Sequence, residues 1–198
     1  MRNPCLTVGQ RSLRAAGGVT GPGAGWTDAG LLTLRLVVGG LVATHGLQKM
    51  THWAGGEGLA AGAEEFRRDG FRGGRLTAVA AGSGQTVGGL LLAAGLLTPL
   101  AVATVAGVMT VAATVKLPHG LWVQNDGYEY PLVLVASMAV TGLTGPGAWS
   151  LDRLTGVNWP ASAGIAGCAA GVLGGLATRR ALLRTRERSG KTDVTRSP

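Results

Sequence analysis

His45 and Lys49 lie four residues apart in THGLQK, so a helix puts an imidazole and an ammonium on one face. The imidazole exchanges a proton near neutral pH, and the ammonium is a compact point charge. A third polar residue, Gln85, interrupts a long apolar run. Lys116, His119, Asp126 and Glu129 belong to KLPHGLWVQNDGYE. Groups of this kind can orient the polar head of a small ligand, and His45 with Lys49 can pass a proton to or from it. Ionisable residues inside apolar spans usually face a partner or a cavity, which makes His45 the leading catalytic candidate. Each residue also has a plainer reading. Lys49 and Lys116 can snorkel to a membrane surface. His119 can be a solvated loop residue, and Glu129 can pair with Lys49 or Lys116 to brace the fold. No metal is expected, because His45, His52 and His119 are the only histidines and no Cys or carboxylate pair completes a ligand set. Nucleophile elbow, P-loop and dinucleotide fingerprint are absent. The glycines of GSGQTVGG sit inside an apolar run with no preceding strand, so they read as packing residues.

The elements that must position these groups are membrane helices. Residues 76–115 carry no charged side chain between Arg75 and Lys116. As one helix they would reach roughly 60 Å, about twice the hydrocarbon core of a bilayer. The run must therefore cross, turn and cross again. Thr98-Pro99 marks the turn, since Pro disfavours helical geometry just before it and tolerates the first turn of a helix. Residues 76–97 and 99–115 form the hairpin. A first span covers residues 31–47, with Arg35 expected to snorkel to the near interface. A fourth covers 128–145, with Trp122, Tyr128 and Tyr130 in an interfacial belt. A fifth covers 159–178 and carries Gly167, Gly171 and Gly175, a face suited to close helix packing and to homo-oligomer contact. Between the first two spans, residues 59–71 suit a short helix on the membrane surface.

The fold class is thus an all-α integral membrane protein, a four-helix transmembrane bundle plus a fifth C-terminal transmembrane helix. Its parts are a flexible tail at 1–28, a core at 29–155, the extra helix at 156–178 and a basic, disordered tail at 179–198. Hydrophobic residues make up 46% of the chain and charged residues 14%, with 35 Gly among 198 residues, a balance that fits closely packed membrane helices. The net charge of +8 sits in loops and tail, so it speaks for orientation and anionic headgroups rather than nucleic acid. Cys5 and Cys168 read as unpaired thiols. Apart from Arg2, Arg11, Arg14, Arg35 and Arg153, every Lys and Arg falls on the side of the C-terminus, which the positive-inside rule places in the cytoplasm. On that side His45, Lys49, Lys116, His119, Asp126 and Glu129 converge, with Gln85 about 15 Å deeper by helix rise.

RLVVGGLVATHGLQKM, GGLLLAAGLLTPLA, GYEYPL and GPGAWSLD, in that order over residues 30–155, resemble the DoxX family of small bacterial membrane proteins. The resemblance implies a four-helix core in a bacterial plasma membrane and an association with quinone-linked redox chemistry. Many family members have Glu where this chain has Gln85, and an amide can hydrogen-bond but not carry a proton. The expectation is a membrane subunit of a quinone-linked oxidoreductase or redox-stress system. A quinone would sit in the bundle near His45 and Lys49, and a soluble redox partner or second subunit would supply electrons. The alternative is a non-enzymatic scaffold that recruits partners or carries a small solute.

Overall fold

The computed structural model of the chain describes residues 24–193, with side chains over 25–182. Cys5 and most of the expected N-terminal tail lie outside the described residues. Among the described residues seven α-helices follow one another: α1 (Ala24–Met50), α2 (Gly58–Arg68), α3 (Arg75–Ala94), α4 (Thr98–Lys116), α5 (Glu129–Thr144), α6 (Leu151–Leu154) and α7 (Ala161–Asp193). Among the described residues there is no strand. α1, α3, α4 and α7 are long and apolar enough to cross a membrane, while α5 is a shorter apolar helix. At 16 residues α5 spans about 24 Å, slightly less than a hydrocarbon core.

Two bands of aromatic side chains frame the bundle. Trp26, Trp149 and Trp159 are exposed at one end, and Trp53, Trp122 and Tyr130 at the other. Between them Leu36, Leu41, Leu90, Val133, Leu143 and Leu173 point outward, which suits lipid and not water. The core is where α1, α3, α4 and α5 meet, around Val38, Val42, Leu92, Val102, Val105, Met109, Leu134 and Met138. The end that carries α2 is called the α2 face below, and the end that carries α6 the α6 face.

Glycine sets the helix spacing. α1 and α3 touch backbone to backbone, with Gly39 and Ala43 against Gly89 and with Gly46 against Gly82 and Thr86. The hydroxyl of Thr86 lies 3.4 Å from the Ala43 carbonyl across this seam. The glycines of GSGQTVGG are therefore packing residues, as their place in an apolar helix predicts. α7 lies on α4 and α5. Gly167 meets the backbone at Pro99, Gly171 at Ala103, Gly175 at Gly107, and Gly164 at Gly142 of α5. The GxxxG face expected to meet a second copy is thus engaged with α4 of the same chain. α7 continues past the expected end at Thr178 as far as Asp193.

α1 begins at Ala24, ahead of the expected start at Leu31, and this changes the place of Arg35. Arg35 does not snorkel. Its side chain is 1% exposed, roofed by the segment after α5. Nη2 donates to the Trp149 carbonyl at 2.5 Å, and Nη1 lies 3.3 Å from the Ala93 carbonyl. Close by, Asp152 is equally buried and accepts four hydrogen bonds. They come from Leu97 N (2.8 Å), Thr98 N (3.0 Å), Thr98 Oγ1 (2.7 Å) and Trp159 Nε1 (3.1 Å). Asp152 thereby fills the orphan donors at the start of α4, where the helix dipole favours an anion. Leu97 closes the α3–α4 turn in the left-handed region, at φ 48°.

Candidate functional site

At the α2 face, α1 and α4 end, α3 and α5 begin, and α2 lies across the end of α1. Gly62 of α2 packs on the Lys49 carbonyl, which brings the polar face of α2 over the bundle mouth. A cavity of about 1230 Å³ opens beneath. His45, Lys49, Gln85, Lys116 and His119 all line it, together with Asp69, Asp126 and Tyr130. Much of its wall is small and apolar: Ala80 and Ala81 of α3, Gly107 and Val108 of α4, with Gln85 about as far along α3 from the mouth as Gly107 is along α4. A second cavity of about 480 Å³ lies between the end of α1, the 55–58 loop and α2, and His45 and Lys49 line it too. These two side chains therefore stand between both spaces. His45 is exposed within its helix, and the space it faces is cavity.

Each polar group has a defined setting. Lys49 is held by α2: Nζ donates to Glu65 Oε2 at 3.0 Å and sits 5.3 Å from the Phe66 ring centroid. Phe66 in turn meets Phe71 edge-on at 5.8 Å. Lys116 donates to Asp126 Oδ1. His119 Nδ1 lies 3.5 Å from Asp126 Oδ2, so His119 is tied to the loop although half exposed. Glu129 does not pair with Lys49 or Lys116, because both ammonium groups have nearer carboxylates and Glu129 Oε2 accepts the Val123 N–H at 3.1 Å. Glu129 is also absent from the cavity wall. Gln85 is 2% exposed, and its Oε1 is buried with no hydrogen-bond partner. A polar atom so placed favours any ligand that brings a donor to it.

Loop carboxylates at the mouth are tuned in opposite directions. Burial, and then the neighbouring Glu65, push the Asp69 carboxyl above its usual range. The Lys116 hydrogen bond holds Asp126 below its own. A depressed carboxylate adds stability above its unfolded pKa of about 3.9 and loses it as pH falls through the lower folded value. The Lys116–Asp126 tie should thus persist from neutral pH to about pH 4 and break only in stronger acid. Its contribution is that of an exposed pair, less than about 1 kcal/mol. Carboxyl NMR titration checks this: Lys116→Met should raise the Asp126 midpoint, and an unmoved midpoint would contradict the assignment.

The set found by sequence reasoning omitted α2's contribution, Glu65, Phe66 and Asp69. The pattern LAAGAEEFRRDGF signalled an amphipathic helix, and its apolar side packs on α1 and α3, burying Gly62 and Ala63. It also missed the Arg35–Asp152 neighbourhood at the α6 face. Counting spans puts an in-span Arg and the Asp of GPGAWSLD at the same end, a signal that was available. Among the described residues no three His, Cys, Asp or Glu side chains gather as metal ligands.

No curated protein and no solved structure matches the chain. The DoxX family model matches residues 30–118, from α1 to the end of α4. That stretch contains RLVVGGLVATHGLQKM and GGLLLAAGLLTPLA, whereas GYEYPL and GPGAWSLD lie beyond it. It also carries four of the cavity's polar residues (His45, Lys49, Gln85 and Lys116) and α2 above them. Residues 30–118 are thus a DoxX domain, in a chain built as a multi-pass helical membrane protein.

Proposed function

We propose that the chain is the membrane subunit of a quinone-linked oxidoreductase system and holds a quinone-like molecule in the large cavity at the α2 face. The observation that carries this reading is one wall combination. Small apolar residues line much of the wall, while donors (His45, Lys49) and the unpartnered Gln85 Oε1 line the same space. That combination fits a ligand with a flat carbonyl-bearing head and an apolar body. A quinone, when bound, supplies a two-electron, two-proton couple. The chain's part is binding and proton handling. His45 donates to a head carbonyl and exchanges a proton with the mouth of the cavity. Lys49, held by Glu65, sets a positive potential there. Gln85 orients the head with its amide and carries no proton. Electrons come from a soluble redox partner or second subunit docking at the α2 face. By the positive-inside rule this face and the end of α7 are cytoplasmic in a bacterial plasma membrane.

A second reading, a scaffold that recruits partners, draws on α7. The helix continues from Leu182 to Asp193, about 16 Å further, through a sequence rich in Arg. Gentle purification followed by solvent extraction and mass spectrometry separates the two. The redox reading expects roughly one quinone per chain, falling at least about tenfold in His45→Ala, which is 1.4 kcal/mol of binding. Equal quinone in parent and variant, or none in a folded parent, would favour the scaffold.

A further inference from the structure

We propose that α7, with α3 and α4, forms a membrane-facing slot for the long apolar chain of the ligand whose polar head sits at His45 and Gln85. The proposal rests on the head-group reading above and adds the ligand's class: a lipid-soluble molecule with a tail, not a small soluble quinone analogue.

Ala103 and Gly107 of α4 meet α7 through Gly171 and Gly175. Thr104 and Val108, each one position further on, meet α3 at Gly84 and Gly88. Successive residues on a helix are about 100° apart, so α3 and α7 stand on adjoining strips of α4. Direct packing between them is slight, and what separates them is a slot floored by α4. Ala80 and Thr77 form one wall; Gly174 and Thr178 form the other. The floor runs from Ala103 to Val115 and the α7 wall from Ala170 to Leu182, about 18 Å each by helix rise.

This slot is one space with the head-group site. The same cavity reaches from the α7 wall to His45 and to the buried, unpartnered Oε1 of Gln85. Its volume of about 1230 Å³ exceeds the range of roughly 300–1,000 Å³ usual for drug-sized ligands. A head group alone does not need that room. The α7 wall is open at Gly174, where an added Cβ would meet nothing within 4 Å. That glycine is not demanded by packing within the chain, and a bulky side chain there enters the slot without distorting the helix contacts.

The test uses full-length protein in nanodiscs and two probes: a benzoquinone bearing a long isoprenoid chain, and the same ring with a methyl group in its place. Parent, Gly174→Phe, His45→Ala and the control Leu173→Phe, whose site faces outward and is 67% exposed, are compared. Gly174→Phe should weaken the long-chain probe at least about tenfold, leaving the short probe and the control unchanged. The slot is overturned if Gly174→Phe leaves long-chain binding intact or weakens both probes equally. It is also overturned if the variant loses only co-purified phospholipid, which would make the slot a structural lipid site. If His45→Ala changes neither probe while Gly174→Phe still weakens the long one, the slot stands and the head-group assignment falls. If the parent binds neither probe, both fall.

Discussion

Asp152→Ala should lower the stability of the folded bundle by about 3–5 kcal/mol, because each buried donor left without its acceptor costs about 1–3 kcal/mol. The carboxylate is 1% exposed and accepts four hydrogen bonds. Truncation leaves the Leu97 and Thr98 N–H groups at the head of α4 without an acceptor. It also leaves Arg35, itself 1% exposed, with no nearby anion. Arg35 Nε already lacks a partner, so the guanidinium has little reserve. Asp152→Asn keeps the shape and one acceptor oxygen and should fall between parent and Ala. Arg35→Met combined with Asp152→Asn should cost less than the sum of the two single changes, because the cation that needed the carboxylate is gone. Thermal unfolding in a mild detergent, read by tryptophan fluorescence, measures all four. An Asp152→Ala protein within about 0.5 kcal/mol of the parent would show the carboxylate to be peripheral.

Gly89→Val should be about as damaging, by a different route. A Cβ at Gly89 would lie 2.5 Å from both the Gly39 carbonyl oxygen and the Ala43 nitrogen. Both neighbours are backbone, so neither can rotate away, and α1 and α3 must move apart along their whole seam. Overpacking of this kind costs about 1–3 kcal/mol where side chains can adjust, and more where they cannot. Lipid offers no hydrophobic force to draw the separated helices back together. Gly40→Val is the matched control: the added Cβ meets nothing within 4 Å, and the variant should unfold with the parent. If Gly89→Val and Gly40→Val unfold alike, the close approach of α1 and α3 is not a determinant of the fold.

The spans were legible in the sequence because length and missing charge are local properties. Residues 76–115 could only be a hairpin, and α3 and α4 are that hairpin. The gathering of His45, Lys49, Lys116 and His119 at one mouth was legible too, since it follows from counting crossings. What escaped was whatever depended on a distant partner. Arg35 looked interfacial because nothing near it in sequence shows that residue 149, 114 positions on, closes over it. Glu129 looked like a brace for lysines because the competing partners, Glu65 and Asp126, differ from it only in position. The α7 glycines read as a close-packing face and are one, but their partner was hidden, because a GxxxG pattern is the same whether it meets another chain or α4.

The separation between Arg35 and its roof has a consequence for how the protein is made. Chains emerge from the ribosome N-terminus first, at about 5–20 residues per second. α1 reaches the membrane long before Trp149 and Asp152 exist, so its arginine waits on the order of ten seconds in its nascent state. Arg35 lies toward the α6 face, beside Trp149 of the aromatic band, so its cost is below the roughly 2.5–3.5 kcal/mol of an arginine at the centre of an inserting helix. A newborn chain stalled before residue 152 would therefore carry an unanswered cation in its first helix. Completion of the α6 face is what removes that mark.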